Sequence, residues 1–337
     1  MSYRTFETFE PIVVEVVDGD GNIGWGEGHI SPGSSAETRE GGWAFATGMA
    51  GAVVGLTTAE ARERILAGFE DSKVAATALV TAAEMLDDHS ILRIGEEARL
   101  PLLTPFNATD TDTVAAEVER RLAEGFRTIK VKVGHDAAAD AARVAAIQKA
   151  AASRATLRLD ANRAYSRDQA LNFVAGLDPN GIELFEQPCE ADEWEANADV
   201  AAASPVPLML DEPICALADI ERAGGIAGVG YCKLKLKRFG GLDRLTDGLR
   251  AVRSQGMAPV LGDGLSSEIG CWMEACVARH TIDNAGEFNG FLKPRDRLFR
   301  NPLPFADGVL TLPAGYRPEV DREALARHTV ETATFEV

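Results

Sequence analysis

Three acidic residues each close a short apolar run: Asp160 in "LRLDAN", Glu186 in "LFEQP" and Asp211 in "LMLDEP". Lysines flank them along the chain. Lys130 and Lys132 lie in "RTIKVKVGHD", and Lys233, Lys235 and Lys237 lie in "CKLKLKRFGG". Strand side chains alternate between faces. Lys130 and Lys132 therefore share one face of their segment, with Ile129, Val131 and Val133 on the other. The same rule puts Lys233, Lys235 and Lys237 on one face. Three ionised carboxylates brought together would repel, and burial would raise their pKa values. A hard divalent cation removes that conflict, and oxygen ligands with positions open to water and substrate suit Mg²⁺. A lysine acts as a base once its pKa is brought down from about 10.4, which neighbouring cations do. Lys130 beside Lys132, and Lys233 or Lys237 beside Lys235, would be those neighbours. The chemistry implied is removal of a proton next to a metal-bound carboxylate. Charge then passes to the carboxylate oxygens as an enediolate, and a second lysine returns a proton or protonates a leaving group.

Taken singly, each acid reads better as a strand-end turn or cap residue, and the lysines could be a snorkelling pair or a surface strand edge. Their phase argues otherwise. Lys132, Asp160, Glu186, Asp211, Lys235, Asp263 and Glu287 follow one another at intervals of 24–28 residues. The elements that would carry them alternate in kind. β-rich runs read as "LLTPFNA", "TIKVKVG", "TLRLDAN", "GIELFEQP", "LMLDEP", "YCKLKLK", "APVLGDG" and "GEFNGFL". Between them Ala-rich stretches predict helices over 111–124, 137–151, 166–176, 193–203, 242–254 and 268–280. Strands alternating with helices of this length predict βαβ units and a parallel sheet. Eight such strands predict a closed barrel of α/β class, with the seven charged residues each at the C-terminal end of its strand, where active sites of that fold lie. An open doubly wound sheet would want a glycine-rich phosphate loop after its first strand, and "TPFNATDTD" is not one.

The rest of the composition narrows the setting. The 337 residues carry 34 Lys+Arg against 52 Asp+Glu, a net charge of -18, which argues against nucleic acid or an anionic membrane as partner. No apolar run is long enough to span a bilayer, and "MSYRTFETFE" is no signal peptide. Five scattered cysteines without a CxxC pair read as reduced core thiols of a cytoplasmic protein.

Together these segments resemble the enolase superfamily, specifically its muconate lactonizing enzyme-like subgroup. "KVKVG" is similar to the second-strand Lys-x-Lys motif, "DANRAY" and "FEQP" to the third- and fourth-strand metal motifs, "LDEP" to the fifth-strand element, and "KLKRFGG" to the sixth-strand lysine followed by two glycines. The resemblance implies a (β/α)7β-type TIM barrel under an α+β capping domain. It implies Asp160, Glu186 and Asp211 as Mg²⁺ ligands and Lys132 and Lys235 as opposed bases, with Lys130 beside them. Asn162 would lie beside the metal. "GEFNGFL" resembles the eighth-strand segment and would put Glu287 at the mouth, near Asp263. A lysine base working with Mg²⁺ is the superfamily's established pattern. Racemisation or epimerisation of a small-molecule carboxylate is the reading that two opposed lysines favour. Cycloisomerisation and syn-elimination by a dehydratase or lyase stay open. Two other classes are a Schiff-base aldolase-type barrel and a non-catalytic binding barrel.

The resemblance extends to the N-terminus. "IVVEVVDGDGNIGWGEG" reads as strand, Asp-Gly turn and strand, similar to the capping hairpin, with helices to follow over 57–88. "GHISPGSSAET" (28–38) matches the substrate loop in position. It is expected to be mobile and to offer His29 to the substrate. The tail "HTVETATFEV" alternates like a strand that returns to the capping sheet. Domain limits are expected at 1–100, joined by 310–337, for the capping domain and 101–309 for the barrel. The expected partners are the substrate and further copies of the chain. Three departures stand out. Only about ten residues precede the hairpin, Lys233 replaces a smaller uncharged residue, and the eighth strand lacks the Asp-x-Asp pattern of dipeptide epimerases.

Overall fold

The computed structural model describes residues 8–31, 37–108 and 110–337. It begins with an antiparallel hairpin, β1 (Ile12–Val17) and β2 (Ile23–Gly28), followed by three helices, α1 (Arg39–Val53), α2 (Thr58–Ala67) and α3 (Lys73–Leu86). Capping starts the first two of these helices. Thr38 accepts from Gly41 N ahead of α1, and Thr57 and Glu60 form a reciprocal capping box on α2. The predicted hairpin and the helices over 57–88 are thus present. The packing of α3 explains the Gly-x-Gly-x-Gly run at 24–28. A Cβ at Gly24, Gly26 or Gly28 would stand 2.1, 1.9 or 2.4 Å from the carbonyl oxygens of Ala82, Ala78 and Val74. Period two on the strand meets period four on the helix, and only bare Cα atoms admit the helix that close.

Strand–helix alternation follows: β3 (Ala98–Pro101), β4 (Thr104–Phe106), α4 (Thr111–Ala123), β5 (Thr128–Lys132), α5 (Ala137–Ala151), β6 (Thr156–Asp160), α6 (Arg167–Ala175), β7 (Ile182–Glu186), α7 (Trp194–Ala203) and β8 (Leu208–Leu210). Then come α8 (Leu217–Gly224), β9 (Val229–Leu234), α9 (Leu236–Phe239), α10 (Leu242–Ser254), β10 (Ala258–Leu261), α11 (Glu268–Thr281), β11 (Phe305–Ala306), β12 (Val309–Leu312) and α12 (Arg322–His328). β4 to β10 form one seven-stranded parallel sheet in sequence order. Of the eight runs read from the sequence, "GEFNGFL" is not a strand. Gly286 makes a single parallel bridge to Leu102, Glu287 N donates to Leu261 O at 2.9 Å, and Gly290–Leu292 is a 3₁₀ turn. Three glycines and asparagines in seven residues leave it little reason to stay extended. β3 joins β11 and β12 in a separate three-stranded antiparallel sheet.

One face of the parallel sheet is apolar at its lower layer, where Leu184, Met209 and Val260 are fully buried beside Tyr231. Two residues further along the same strands, on the same face by alternation, stand Glu186, Asp211 and Lys233. The opposite face, with Ile129, Val131, Leu157 and Leu159, joins the main core. Two buried carboxylates tie the N-terminal layer to the sheet layer. Glu27 of β2 accepts from Ser267 N (2.6 Å), Ser267 Oγ (2.5 Å) and Gly270 N (2.9 Å) at the start of α11. Glu84 of α3 accepts from Leu242 N at 2.9 and 3.1 Å, capping α10, whose own N-cap Gly241 has no side chain to offer.

The C-terminal tail differs from expectation. Residues 329–337 form no strand, and the hairpin sheet holds two strands among the described residues. The tail lies instead against α1: Trp43 Nε1 donates to Glu331 at 2.8 Å, and Phe335 sits over Gly51.

Candidate active site

The sheet register puts the first three charges side by side. Lys132 is the Cα partner of Asp160, and Asp160 of Glu186. Asp211 lies just past the end of β8, and Lys235 just past the end of β9. All three acids are at most 2% exposed. Lys130 Nζ lies 2.9 Å from Asp160 Oδ2, 2.7 Å from Glu186 Oε2 and 2.7 Å from Glu287 Oε1. Lys132 Nζ contacts Asp160 Oδ2 and donates to Asn162 Oδ1 at 2.6 Å. On the other flank Lys235 Nζ lies 2.8 Å from Asp211 Oδ2. Lys233 Nζ reaches Glu287 Oε2 at 2.5 Å, Glu186 Oε1 at 3.1 Å and Asp211 Oδ2 at 3.8 Å. Asn162, with φ of 46°, turns its own N–H back to Asp160 Oδ1 at 2.8 Å. The structure thus gathers Lys130, Lys132, Asp160, Asn162, Glu186, Asp211, Lys235 and Glu287 at one end of the sheet.

Burial and pairing pull the charges apart in pKa. Burial alone would raise Asp160, but Lys130, Lys132 and Lys233 outweigh it and hold the carboxyl below its usual value. Burial likewise opposes, and Lys235, Arg238 and Lys233 overcome, at Asp211. Glu186 goes the other way: burial, then Asp160, push it up to about 7. Its Oε2 lies 2.7 Å from Lys130 Nζ, an ammonium contact that opposes this rise without cancelling it. Burial lowers Lys235, and Arg238 lowers it further.

Arg238 is a residue the sequence reading missed. The strand ends at Leu234 and the chain turns into α9 at Leu236. The alternation that grouped Lys233, Lys235 and Lys237 therefore stops, and Arg238, one helical turn from Lys235, comes to donate to Asp211 Oδ1 at 2.8 Å and Asp211 O at 2.6 Å. Lys237 turns to Asp263 Oδ2 (2.7 Å) and to the carbonyl oxygen of His29 (3.2 Å). Glu274 was also missed. It accepts from Leu236 N at 3.1 Å directly behind Lys235, and burial, then Asp263, push it up to about 8.

His29 is buried. Its Nδ1 is 3.1 Å from Ser31 Oγ, its ring meets Phe9 edge-on, and burial, then Lys237, bring it down to about 4. Of the loop 28–38, residues 32–36 lie outside the described residues, and the expectation of mobility falls largely on them. Asp263 and Glu287 reach the site, but as partners of Lys237 and of Lys130 and Lys233. Four of the cysteines are poor nucleophiles: burial raises Cys189 to about 11, Cys232 and Cys276 to about 12, and Cys271 as well.

The donor set fits a hard cation: three buried carboxylates, oxygen only, from three successive strand ends. The carboxylates stand around ammonium groups here. Among the described residues the one trio with ligand atoms all within 4.8 Å of each other is Glu84, His89 and Asp243, at the layer junction. Those groups already have partners in Leu242 N and in each other.

Comparison with known proteins gives the family. The chain is 26% identical to muconate cycloisomerase 1 of Acinetobacter baylyi over 97% of its own length and 95% of that relative. It is 29% identical to an aromatic dipeptide epimerase of Herpetosiphon aurantiacus, covering 88% of this chain and 85% of that one. A dipeptide epimerase structure from Cytophaga hutchinsonii, complexed with Mg and the dipeptide D-Ala-L-Val, superposes with a TM-score of 0.85 at 23% identity, covering 94% and 90% of the two chains. Residues 113–318 match the family model for the enolase C-terminal domain-like fold, and the chain belongs to the enolase superfamily, in its muconate lactonizing enzyme-like subgroup.

Proposed function

We propose that this enzyme removes the proton alpha to a substrate carboxylate with Mg²⁺ bound, and that it racemises or epimerises that centre. The parallel sheet is taken to close as a (β/α)7β barrel through the Gly286–Leu102 bridge. Residues 101–309 would be the barrel, and 1–100 with 310–337 the capping domain. Asp160, Glu186 and Asp211 would hold the metal. When bound, the cation supplies a Lewis acid for the substrate carboxylate and the negative charge that develops on it.

The observation that carries the reading is the placement of Lys132 on Asp160 and Lys235 on Asp211, on strands separated by three others. A substrate carbon held between them would face one amine on each side. The lowered pKa of Lys235 favours a neutral amine able to take the proton. Lys132 then gives a proton on the other face, and the centre inverts. Arg238 keeps Asp211 ionised while depressing Lys235, and Glu274 fixes the backbone that carries it. Asn162 orients Lys132.

A second reading is favoured by the full-length match to a muconate cycloisomerase. There one lysine would serve only as acid or as a passive cation. The two are separated by Lys132→Ala and Lys235→Ala, followed by α-proton exchange from each enantiomer in ²H₂O. Racemisation requires that each variant lose exchange from a different enantiomer. Full exchange with lost product in Lys235→Ala would transfer the assignment to cycloisomerisation or elimination.

A further inference from the structure

The single turn α9 carries the residues nearest the proposed base. Lys235 precedes it, and Arg238 within it holds Asp211. What holds α9 in turn lies largely outside the parallel sheet. At one end a Cβ on Gly240 would stand 2.6 Å from Phe69 Cε2, and one on Gly241 3.1 Å from Val80 Cγ1, so α3 and the residues before it press on the turn. Lys237 makes the other attachment. Its Nζ lies 2.7 Å from Asp263 Oδ2 and donates to His29 O at 3.2 Å, with Ser31 Oγ at 3.5 Å. An ammonium has three N–H donors, and oxygens of three separate residues surround this one. Those residues are themselves fixed. Asp263 Oδ1 accepts from Leu265 N at 2.7 Å and Ser266 N at 3.2 Å, in the loop after β10. His29 and Ser31 are each 2% exposed, and His29 Nδ1 meets Ser31 Oγ at 3.1 Å. One side chain thus joins the residues after β2, the turn after β9 and the loop after β10. Of Lys235, Lys237 and Arg238, the first and last serve Asp211, and Lys237 reaches the N-terminal layer.

We infer that Lys237 is a positioning residue: it locks residues 29–31 to the turn that carries Lys235, so that the two segments are set as one unit. It acts on Lys235 through the backbone of α9 and not by contact with substrate. Its bearing on turnover rests on Lys235 being the base proposed above, whereas the lock is measured without substrate.

Amide exchange by mass spectrometry on the full-length, ligand-free protein reads peptides covering 27–31 and 235–240. The proteins are the wild type, Lys237→Met, Lys237→Arg, and Lys237→Met combined with Asp263→Asn. Loss of a charge-assisted hydrogen bond predicts exchange about tenfold or more faster in both peptides for Lys237→Met, with α4 and α5 unchanged. Lys237→Arg should restore most of the protection. Lys237→Met also abandons Asp263, whose side chain is 3% exposed, and lowers the thermal midpoint for that reason alone. Adding Asp263→Asn removes the abandoned charge, so the midpoint should recover while both peptides stay fast. The double variant thereby separates a lock from an ion pair that merely stabilises the fold, and it carries the test should Lys237→Met not fold. Unchanged exchange in either peptide, or protection regained with Asp263→Asn, overturns the lock. The second readout is α-deuterium uptake by chiral α-amino and α-hydroxy carboxylates in ²H₂O with Mg²⁺. Uptake seen with the wild type should slow by a similar factor in Lys237→Met and recover in Lys237→Arg, and a wild-type rate in folded Lys237→Met overturns the positioning role. Absence of uptake by the wild type on every carboxylate counts against the proposed reaction and leaves the lock to be decided by amide exchange.

Discussion

Replacing Lys233 with Met keeps the buried stem and removes only the charge. In the structure that charge is 2% exposed and lies 2.5 Å from Glu287, 3.1 Å from Glu186 and 3.8 Å from Asp211. Breaking a buried ion pair from one side costs about 3–5 kcal/mol, because the abandoned charge keeps its desolvation penalty. Lys130 remains 2.7 Å from both Glu186 and Glu287, so the lower end, about 3 kcal/mol, is expected. On the proposed metal assignment the same lysine would compete with a divalent cation for Glu186 and Asp211. Without it, Mg²⁺ should bind more tightly, and each tenfold gain in affinity adds about 1.4 kcal/mol to the stability at a fixed excess of metal. The assay is urea unfolding of both proteins with and without Mg²⁺. The variant should be the less stable without metal and should gain more from it. Equal stability without metal, or an equal gain on adding it, would refute the assignment of Lys233 as an internal counter-ion.

Two further predictions concern the layer junction. Burial, opposed by the Leu242 N–H, pushes Glu84 up to about 7 from an ordinary 4.5, so the folded state holds its proton where the unfolded state has lost it. Stability should therefore fall as pH rises through that window and level off above it, by on the order of 3 kcal/mol in full. Glu84→Gln should flatten this fall, and parallel urea profiles from about pH 5 to about pH 8 would contradict it. Glu27→Ala removes an acceptor of three hydrogen bonds at the start of α11, leaving Gly270 N buried and the half-buried Ser267 N without that acceptor. It should cost at least about 3 kcal/mol, checked by urea midpoint, with amide exchange rising first in the initial turn of α11.

The site was legible in the sequence where strand periodicity governs it. Lys130, Lys132, Asp160 and Glu186 lie on strands that run to those residues, and alternation fixes their face. It stopped being legible one residue past β9. Nothing in "KLKLKRF" marks the point where period two gives way to a helical turn, so Lys237 was expected beside Lys235 and Arg238 was overlooked. The tail shows the same limit from the other side. "TVETATFEV" alternates as a strand would, but alternation specifies a face and not a partner, and it docks on α1 through Trp43 and Gly51 instead. Glu27, Glu84 and Glu274 bind backbone N–H groups far away in the chain, up to 243 residues distant for Glu27. Such contacts leave no local pattern to read. The Gly24–Gly26–Gly28 stripe did leave one, since spacing of two opposite an alanine-rich helix is a close-packing signal.

The central claim is proton removal next to a carboxylate by this lysine and carboxylate array. Its most direct measurement is incubation of the wild-type enzyme and Mg²⁺ in ²H₂O with a panel of chiral carboxylates, followed by mass spectrometry and proton NMR of the α-position. The account predicts a substrate that takes up one solvent deuterium at the α-carbon, with loss of uptake on chelation of the metal and in Lys132→Ala combined with Lys235→Ala. Turnover of a carboxylate with its α-proton fully retained, or deuterium uptake that survives loss of both lysines, would contradict it.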